Sequence, residues 1–206
     1  MKINTIIFDL GGVIINLDEQ ASFKALRDLS PVPAEELNGK IPGSPIFQAF
    51  ETNRISAQEF RNELRQLLQI KSTDDVIDHA WNSMLREIPM ARLDLMYELK
   101  QSHKIVVLSN TNFIHINAFN KIVENVSGHN SLDYFADHIC YSCELNMRKP
   151  DIDIYQKMLE ITETNASQSL FLDDKTDNLE GAASVGINTM HVTTPDDIFK
   201  VRAYVK

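Results

Sequence analysis

Residues 3–12, INTIIFDLGG, decide the fold class of this 206-residue chain. Residues 3–8 form a short run rich in β-branched and aromatic side chains, which is typical of a strand. The run stops at Asp9, and two glycines follow it, so the strand is predicted to end in a tight turn. A run this apolar also indicates a strand that is covered on both faces, as strands of parallel sheets are.

Four more runs of this kind follow, and segments with helical spacing of apolar residues lie between them. The runs are KIVVLSN (104–110), HICYS (138–142), LFLDD (170–174) and NTMHVT (188–193). The helical segments are RLDLMYELKQ (92–101), IYQKMLEI (154–161) and LEGAASVG (179–186), and TPDD (194–197) is typical of a further helix start. Strands that alternate with helices predict an α/β fold with a doubly wound parallel sheet.

The interval between the first two strands is far longer than one crossover helix needs, since almost a hundred residues separate Phe8 from Ile105. It contains no convincing strand. Its helical segments are SFKALRDL (22–29), SAQEFRNELRQLL (56–68), whose Ser56 and Glu59 form a capping box, and a stretch from about 72 to 86, with a loop at 31–45. We therefore predict an α-helical cap domain, residues 16–88, inserted into a core domain of residues 1–15 and 89–206.

The composition restricts the classes of partner. The formal net charge is −9 and the isoelectric point is near 5.1, which argues against nucleic acid and against an anionic membrane surface. The apolar runs are far too short for a membrane helix, and the first residues do not fit a signal peptide. We therefore expect a cytoplasmic protein with no membrane partner. The sequence leaves open whether it is a monomer or a homodimer.

The cysteines, histidines and tryptophan carry weaker signals. Two cysteines are too few for a disulfide scaffold, and no second ligand pair accompanies Cys140 and Cys143 at zinc spacing. Because residues three apart on a strand face opposite sides, we expect two structural thiols. We expect His115 to be a packing or surface residue, and Trp81 to pack in the core of the cap rather than to stack on a substrate.

Polar residues follow the strands at the edge where open α/β sheets bind ligands. They are Asp9 after the first strand, Ser109 and Asn110 after the second, Lys149 after the third, and Asp173 and Asp174 after the fourth. Such a set suits phosphoryl transfer, because one carboxylate can act as nucleophile, two can hold Mg²⁺, and a lysine can neutralise phosphoryl oxygens. Taken singly, each residue also fits a turn, a helix cap or a solvated surface.

The motifs themselves resemble a known family. IIFDLGGVI, VVLSNTN, RKP and FLDDKTDNLEGAASVGI, in this order, are similar to the four motifs of the haloacid dehalogenase (HAD) superfamily of hydrolases, and the helical insertion resembles its α-helical cap. FETNRISAQEF (50–60) resembles a cap motif of the bacterial sugar-phosphate phosphatase branch that includes α-glucose-1-phosphate phosphatase. Asn53 stands there in place of the usual glycine, a mild departure because Asn tolerates a left-handed turn.

The resemblance implies a role for each polar residue at the strand ends. Asp9 would be the covalent nucleophile, and Lys149 would bridge the nucleophile and the phosphate. The Mg²⁺ ligands would be Asp9, the backbone carbonyl of Gly11, and Asp174, with Asp173 as an outer-sphere or second metal contact. The phosphoryl oxygens would be bound by Ser109, Asn110 and Lys149.

One position departs from the phosphatases of this family. They usually carry an aspartate two residues after the nucleophile, which protonates the leaving group, but this chain has Gly11. The resemblance still implies a Mg²⁺-dependent phosphomonoester hydrolase that acts on a small phosphorylated metabolite, such as a sugar phosphate, through an aspartyl-phosphate. The alternative is a catalytically weak pseudo-phosphatase that binds a phosphometabolite or a protein partner.

Overall fold

A computed structural model describes residues 2–37 and 44–205. Five parallel strands form one sheet in the order β3-β2-β1-β4-β5. The strands are β1 (Thr5–Phe8), β2 (Lys104–Ser109), β3 (His138–Tyr141), β4 (Ser169–Asp173) and β5 (Asn188–His191). The predicted α/β fold with a doubly wound parallel sheet is therefore confirmed.

Side chains of the three central strands alternate between two apolar layers. In β1, Ile6 and Phe8 face one layer while Ile7 faces the other, and β2 and β4 repeat this pattern in register. Because both layers are apolar, each of these strands is buried on both faces, which explains their continuous hydrophobic runs. The α-helices of the core are α6 (Met90–Lys100), α7 (Phe113–Ser127), α8 (Ser142–Leu145), α9 (Ile152–Thr162) and α10 (Thr176–Ser184).

The helices cover the sheet on both sides. Helices α6 and α7 pack on the layer that contains Phe8, together with a 3₁₀ helix at Pro195–Ala203, while α9 and α10 pack on the layer that contains Ile7. Such two-sided cover leaves the carboxyl ends of the strands as the open edge of the core.

Helices between β1 and α6 form a separate apolar cluster. They are α1 (Glu19–Asp28), α2 (Ala34–Leu37), α3 (Pro45–Glu51), α4 (Ala57–Leu68) and α5 (Asp74–Asn82). Aromatic rings hold the cluster together: Phe50 stacks on Phe60 at 4.3 Å between ring centroids, and Phe47 stacks on Trp81 at 5.0 Å. Ile114 of α7 also joins this cluster, so the helical layer packs on the core. The limits 16–88 for a cap domain stay a prediction.

Two local predictions hold. The capping box of Ser56 and Glu59 is present at the start of α4. Asn53 has φ 54°, the left-handed conformation that a glycine would adopt there. Within the ranges that the structure describes, no helix is both long and apolar enough to cross a membrane.

Other local predictions are wrong. The loop predicted at 31–45 contains helix α2, and α3 begins at Pro45 after the cap residue Ser44; residues 38–43 of this loop lie outside the described residues. Cys143 is not on a strand with Cys140, because the chain turns into the short helix α8 after Tyr141. Both thiols are nevertheless buried and free, and burial raises the pKa of each.

Candidate active site

The register of the parallel strands brings the predicted residues to one rim. Phe8 of β1 is the register partner of Leu172 of β4, and the Asp9 N–H donates to the Leu172 carbonyl at 2.8 Å. Asp9 and Asp173 therefore leave adjacent strands side by side. Ser109 ends β2 on the other side of β1, and it lines the same cavity as Asp9.

Lys149 lies between the two carboxylates. Its Nζ is 2.6 Å from Asp9 Oδ1 and 2.7 Å from Asp173 Oδ2, and its side chain is only 1% exposed. Burial disfavours the ammonium, but the charges of Asp9 and Asp173 outweigh that effect and raise the pKa of Lys149. The cation is therefore fixed at the rim between Asp9 and Asp173.

The Asn110 side chain positions Lys149. Its Oδ1 accepts the Lys149 N–H at 2.8 Å, and its Nδ2 donates to the Lys149 carbonyl at 2.9 Å. This pair of bonds ties the loop after β2 to the loop that carries Lys149. Because both ends of the amide are occupied, the observed contacts of the Asn110 side chain are positioning contacts, and its predicted binding of phosphoryl oxygens stays a prediction.

Three hydrogen-bond donors hold the Asp173 carboxylate in place. Lys149, the Asn178 side-chain amide and the Lys175 N–H all donate to its two oxygens, at 2.7–3.0 Å. Asn178 was not among the predicted site residues. The signal for it is its spacing, because five residues after Asp173 the first turn of α10 returns over the strand end.

Removing the Lys149 ammonium is expected to destabilise the fold, because Asp9 and Asp173 would then be two buried carboxylates without their cation. For Lys149→Met we expect a loss of about 3–5 kcal/mol in the free energy of unfolding, measured by urea denaturation in chelator. The control is Lys157→Met, which removes an exposed ion pair with Glu160 and is expected to cost about 0.5 kcal/mol or less. Equal stability of the two variants would contradict this account of Lys149.

Three carboxylates at the rim fit a hard divalent cation. Asp9, Asp173 and Asp174 each offer an oxygen, and these atoms lie within 4.8 Å of one another. Asp174 Oδ1 is buried and has no hydrogen-bond partner among the described residues, which is costly unless a cation or water satisfies it. Carboxylate oxygens are the ligands that Mg²⁺ prefers. The donor set thus suits Mg²⁺. Asp9 and Asp174 accept fewer hydrogen bonds from the protein than Asp173 does, so their oxygens are the more available ligands.

Electrostatics at Asp9 point the same way. Burial raises the pKa of Asp9 to about 7, against the opposing effect of Lys149. A divalent cation beside the group favours its ionised form. The Asp9 carboxylate therefore has a physical reason to bind a cation in addition to Lys149.

Gly12, rather than Gly11, has the conformation that requires glycine. Its φ is 77°, and a Cβ there would lie 2.7 Å from Asp174 Oδ2. The glycine thus lets the loop after β1 approach the carboxylate closely. At Gly11 a Cβ would meet only the end of the Leu17 side chain, at 2.5 Å.

A cavity of about 670 Å³ lies between the rim and the helical layer. The rim contributes Asp9, Ser109 and Lys149, while the helices contribute Phe47, Glu51 and Trp81. Arg148 spans the two sides, because its Nη2 lies 3.3 Å from Glu51 Oε2. A cavity of this size suits a small molecule.

Trp81 and His115 form one wall of this cavity. Their rings stack at 4.8 Å between centroids, and Asn82 Oδ1 lies 2.8 Å from His115 Nδ1. Burial lowers the pKa of His115 to about 3, so the imidazole is neutral. Trp81 Nε1 and His115 Nε2 are buried without a hydrogen-bond partner among the described residues. Trp81 therefore packs in the apolar cluster of the helical layer, as predicted, and also lines the cavity.

Sequence reasoning missed the cavity side chains that the helical layer supplies. Glu51 and Arg148 stood inside motifs that were recognised, FETNRISAQEF and RKP, but nothing in their spacing showed that they would meet. Contacts of this kind depend on how α3 docks on the core, and that is a long-range property of the fold.

The fold and the carboxylates at the rim agree with one family of hydrolases. The family model described as haloacid dehalogenase-like hydrolase matches residues 3–186, nearly the whole chain. The chain belongs to this family.

Relatives refine this assignment. A D-ribitol-5-phosphate phosphatase of Bacteroides thetaiotaomicron is 30% identical over 187 residues, covering 91% of this chain and 90% of the relative. A sesquiterpene phosphatase of Aspergillus oryzae is 30% identical over 193 residues, and the alignment covers 91% of this chain and 88% of the relative. The crystal structure of a HAD-family enzyme from B. thetaiotaomicron, in complex with magnesium and inorganic phosphate, has a TM-score of 0.81 at 29% identity, covering 92% of this chain and 93% of that one. The chain is a phosphatase of the HAD-like family; the branch within it stays a prediction.

Proposed function

We propose that the protein is a Mg²⁺-dependent phosphomonoesterase that hydrolyses a small sugar or sugar-alcohol phosphate through an aspartyl-phosphate at Asp9. The observation that carries the proposal is the arrangement at the rim. Lys149 joins Asp9 to Asp173, and Asp174 keeps an oxygen that has no hydrogen-bond partner among the described residues. Asp9 and Lys149 line the cavity of about 670 Å³. The sugar-phosphate class is supported by the D-ribitol-5-phosphate phosphatase relative.

Each rim residue has a definite part in this reaction. An oxygen of Asp9 attacks phosphorus, while the Lys149 ammonium neutralises charge on the phosphoryl oxygens. Ser109 lies at the end of the neighbouring strand, where its hydroxyl can bind a phosphoryl oxygen, and Asn110 keeps Lys149 in place. Asp9, Asp174 and the Gly11 carbonyl would hold Mg²⁺, with Asp173 as an outer-sphere contact, and the ion would supply positive charge that offsets the negative charge of the phosphoryl oxygens.

Two buried nitrogens on side chains that line the cavity would pair with a hydroxylated substrate that reaches them, and not with an apolar one. Trp81 Nε1 is a donor, and His115 Nε2 is an acceptor when Nδ1 donates to Asn82. A hydroxyl group can accept from the first and donate to the second. An apolar substrate, as the name of the sesquiterpene phosphatase implies, could form neither of these hydrogen bonds.

A phosphate-release assay over a panel of esters tests the proposed function. With Mg²⁺ present, we expect D-ribitol 5-phosphate and hexose phosphates to be hydrolysed with higher kcat/KM than farnesyl phosphate. Faster hydrolysis of farnesyl phosphate would contradict the sugar-phosphate class. No phosphate release from any ester would instead support the pseudo-phosphatase alternative.

Trp81→Phe tests the hydroxyl-binding wall, since phenylalanine keeps an aromatic ring but lacks the N–H. We expect kcat/KM for D-ribitol 5-phosphate to fall roughly 2- to 10-fold, the scale of one hydrogen bond. p-Nitrophenyl phosphate, whose leaving group carries no further hydroxyl, serves as the control substrate. Its kcat/KM with Trp81→Phe should equal that with the wild type. A parallel loss on both substrates would show that Trp81 acts only by packing.

A further inference from the structure

The proposed reaction needs a proton donor that position 11 does not supply. When an alcohol phosphate is cleaved, its ester oxygen leaves as an alkoxide unless a general acid protonates it. Such help is worth roughly 10²–10⁴-fold in rate. Gly11 has no side chain to provide it, so a group elsewhere in the cavity must act if poor leaving groups are to be hydrolysed well. The following inference rests on the proposed phosphatase function.

Few side chains around the cavity can exchange a proton. Among the described residues that line it, the carboxyl groups belong to Asp9, Glu19, Glu51 and Asp177, and the imidazole to His115. Asp9 is the nucleophile, and His115 stays neutral because burial lowers its pKa to about 3. Glu19 is 52% exposed and Asp177 is exposed as well, so neither is enclosed with the substrate. Glu51 remains.

The backbone places Glu51 next to the phosphate-binding loop. Glu51 is the last residue of α3, and its carbonyl accepts a hydrogen bond from the Ser142 hydroxyl at 2.7 Å. The same hydroxyl accepts the Thr111 N–H at 2.9 Å. Ser142 is completely buried, so this contact fixes the end of α3 to the loop that begins at Ser109.

The side chain of Glu51 is enclosed but not locked. It is 24% exposed, and its Oε2 lies 3.3 Å from Arg148 Nη2. Burial raises the pKa of Glu51, and Arg148 opposes that effect only in part. Arg148 Nε is itself buried and has no partner among the described residues, so this guanidinium has hydrogen-bonding capacity that Glu51 does not use. A carboxyl group in this setting can hold a proton and also give it up.

We infer that Glu51, from the helical layer, is the general acid and base of the phosphatase reaction. In the first step an Asp9 oxygen forms a bond to phosphorus, the ester P–O bond breaks, and the leaving oxygen takes the proton of Glu51. In the second step water attacks phosphorus, its proton passes to Glu51, and the bond between Asp9 and phosphorus breaks. Phosphate leaves, and both residues return to their starting states.

The experiment compares Glu51→Gln and Glu51→Asp with the wild type on two substrates, with Mg²⁺ present. D-ribitol 5-phosphate has a poor alkoxide leaving group, whereas p-nitrophenyl phosphate has a leaving group that needs no protonation. Glutamine can still accept a hydrogen bond from Arg148 but cannot exchange a proton. Glu19→Gln is the matched control, because it removes another carboxyl group that lines the same cavity.

For Glu51→Gln we expect kcat/KM on D-ribitol 5-phosphate to fall roughly 10²–10⁴-fold, with kcat/KM on p-nitrophenyl phosphate changed little. Since water activation is also lost, p-nitrophenol should appear as a burst of one equivalent, followed by slow turnover. Glu51→Asp, which keeps the carboxyl group on a shorter chain, should retain more activity than Glu51→Gln. Glu19→Gln should behave like the wild type on both substrates.

The inference would be overturned, with the phosphatase function left in place, if Glu51→Gln had the kinetic constants of the wild type. It would also be overturned by an equal loss of kcat/KM on both substrates without a burst, because such a loss would indicate a role of Glu51 in substrate binding or in the fold. A Glu51→Gln protein that does not fold, together with a Glu51→Asp protein that loses both substrates equally, would have the same meaning. A wild-type protein that releases phosphate from neither substrate would overturn the proposed function itself.

Discussion

Replacing Asp9 by asparagine is expected to reduce phosphate release by about 10⁴-fold or more, the scale seen when a catalytic nucleophile is removed. An amide oxygen is a far weaker nucleophile than a carboxylate, so no aspartyl-phosphate can form at a useful rate. The fold should survive, because Lys149 keeps its contact with Asp173 at 2.7 Å and asparagine still offers an oxygen to Lys149. The measurement is kcat at saturating Mg²⁺, with urea unfolding as a check of the fold.

The matched control for this prediction is Asp177→Asn. Asp177 lines the same cavity but is exposed and makes no contact with Lys149 within the described part of the chain. Its amide variant should retain turnover close to that of the wild type. Near wild-type release by Asp9→Asn or Asp9→Ala would show that Asp9 is not the nucleophile.

Removal of Mg²⁺ is the second change with a large expected effect. Chelation should lower turnover by about 10³-fold, because the charge of a metal ion is worth several kcal/mol in the transition state. Addition of Mg²⁺ should restore it. Full activity after exhaustive chelation would refute the metal requirement and favour a reaction of the dehalogenase type.

Asp174→Ala identifies the residue responsible for the metal requirement. The variant should need much more Mg²⁺ for the same turnover, because it loses the oxygen that has no hydrogen-bond partner in the described part of the chain. A readout independent of catalysis is the melting temperature, which a ligand of the folded state raises. Mg²⁺ should raise the melting temperature of the wild type clearly and that of Asp174→Ala little; equal shifts would exclude Asp174 as a ligand.

The central part of the fold could be predicted because it depends on local patterns. Runs such as residues 104–110 are apolar throughout, and this follows directly from burial between two apolar layers. The convergence of Asp9, Lys149 and Asp173 also follows, since parallel strands end at one edge. The sheet order could not be read from these runs, because it depends on pairing between distant segments.

Helices α3 and α7 were not predicted, although each has recognisable boundary residues in the sequence. Helix α3 begins with Ser44 as its cap and Pro45 in its first turn, but it lies in a loop rich in proline and glycine. Helix α7 is bounded by Asn112 and by Gly128 in a left-handed conformation, both ordinary boundary signals.

The helical side of the cavity is the part that sequence patterns could not predict. Trp81 and His115 are 34 positions apart, and they meet only because α5 packs on α7. Glu51 and Arg148 are 97 positions apart, and they meet through a similar long-range contact between α3 and the loop before α9. We propose that substrate selection depends on these contacts, and the motifs therefore identify the reaction better than the substrate.

The most direct test of the account is mass spectrometry of the protein quenched with acid during turnover of D-ribitol 5-phosphate with Mg²⁺. The account predicts that the peptide containing Asp9 gains the mass of one phosphoryl group, and that the Asp9→Asn protein shows no such peptide. Phosphate release without a phosphorylated Asp9, or a phosphoryl group on a different residue, would contradict it.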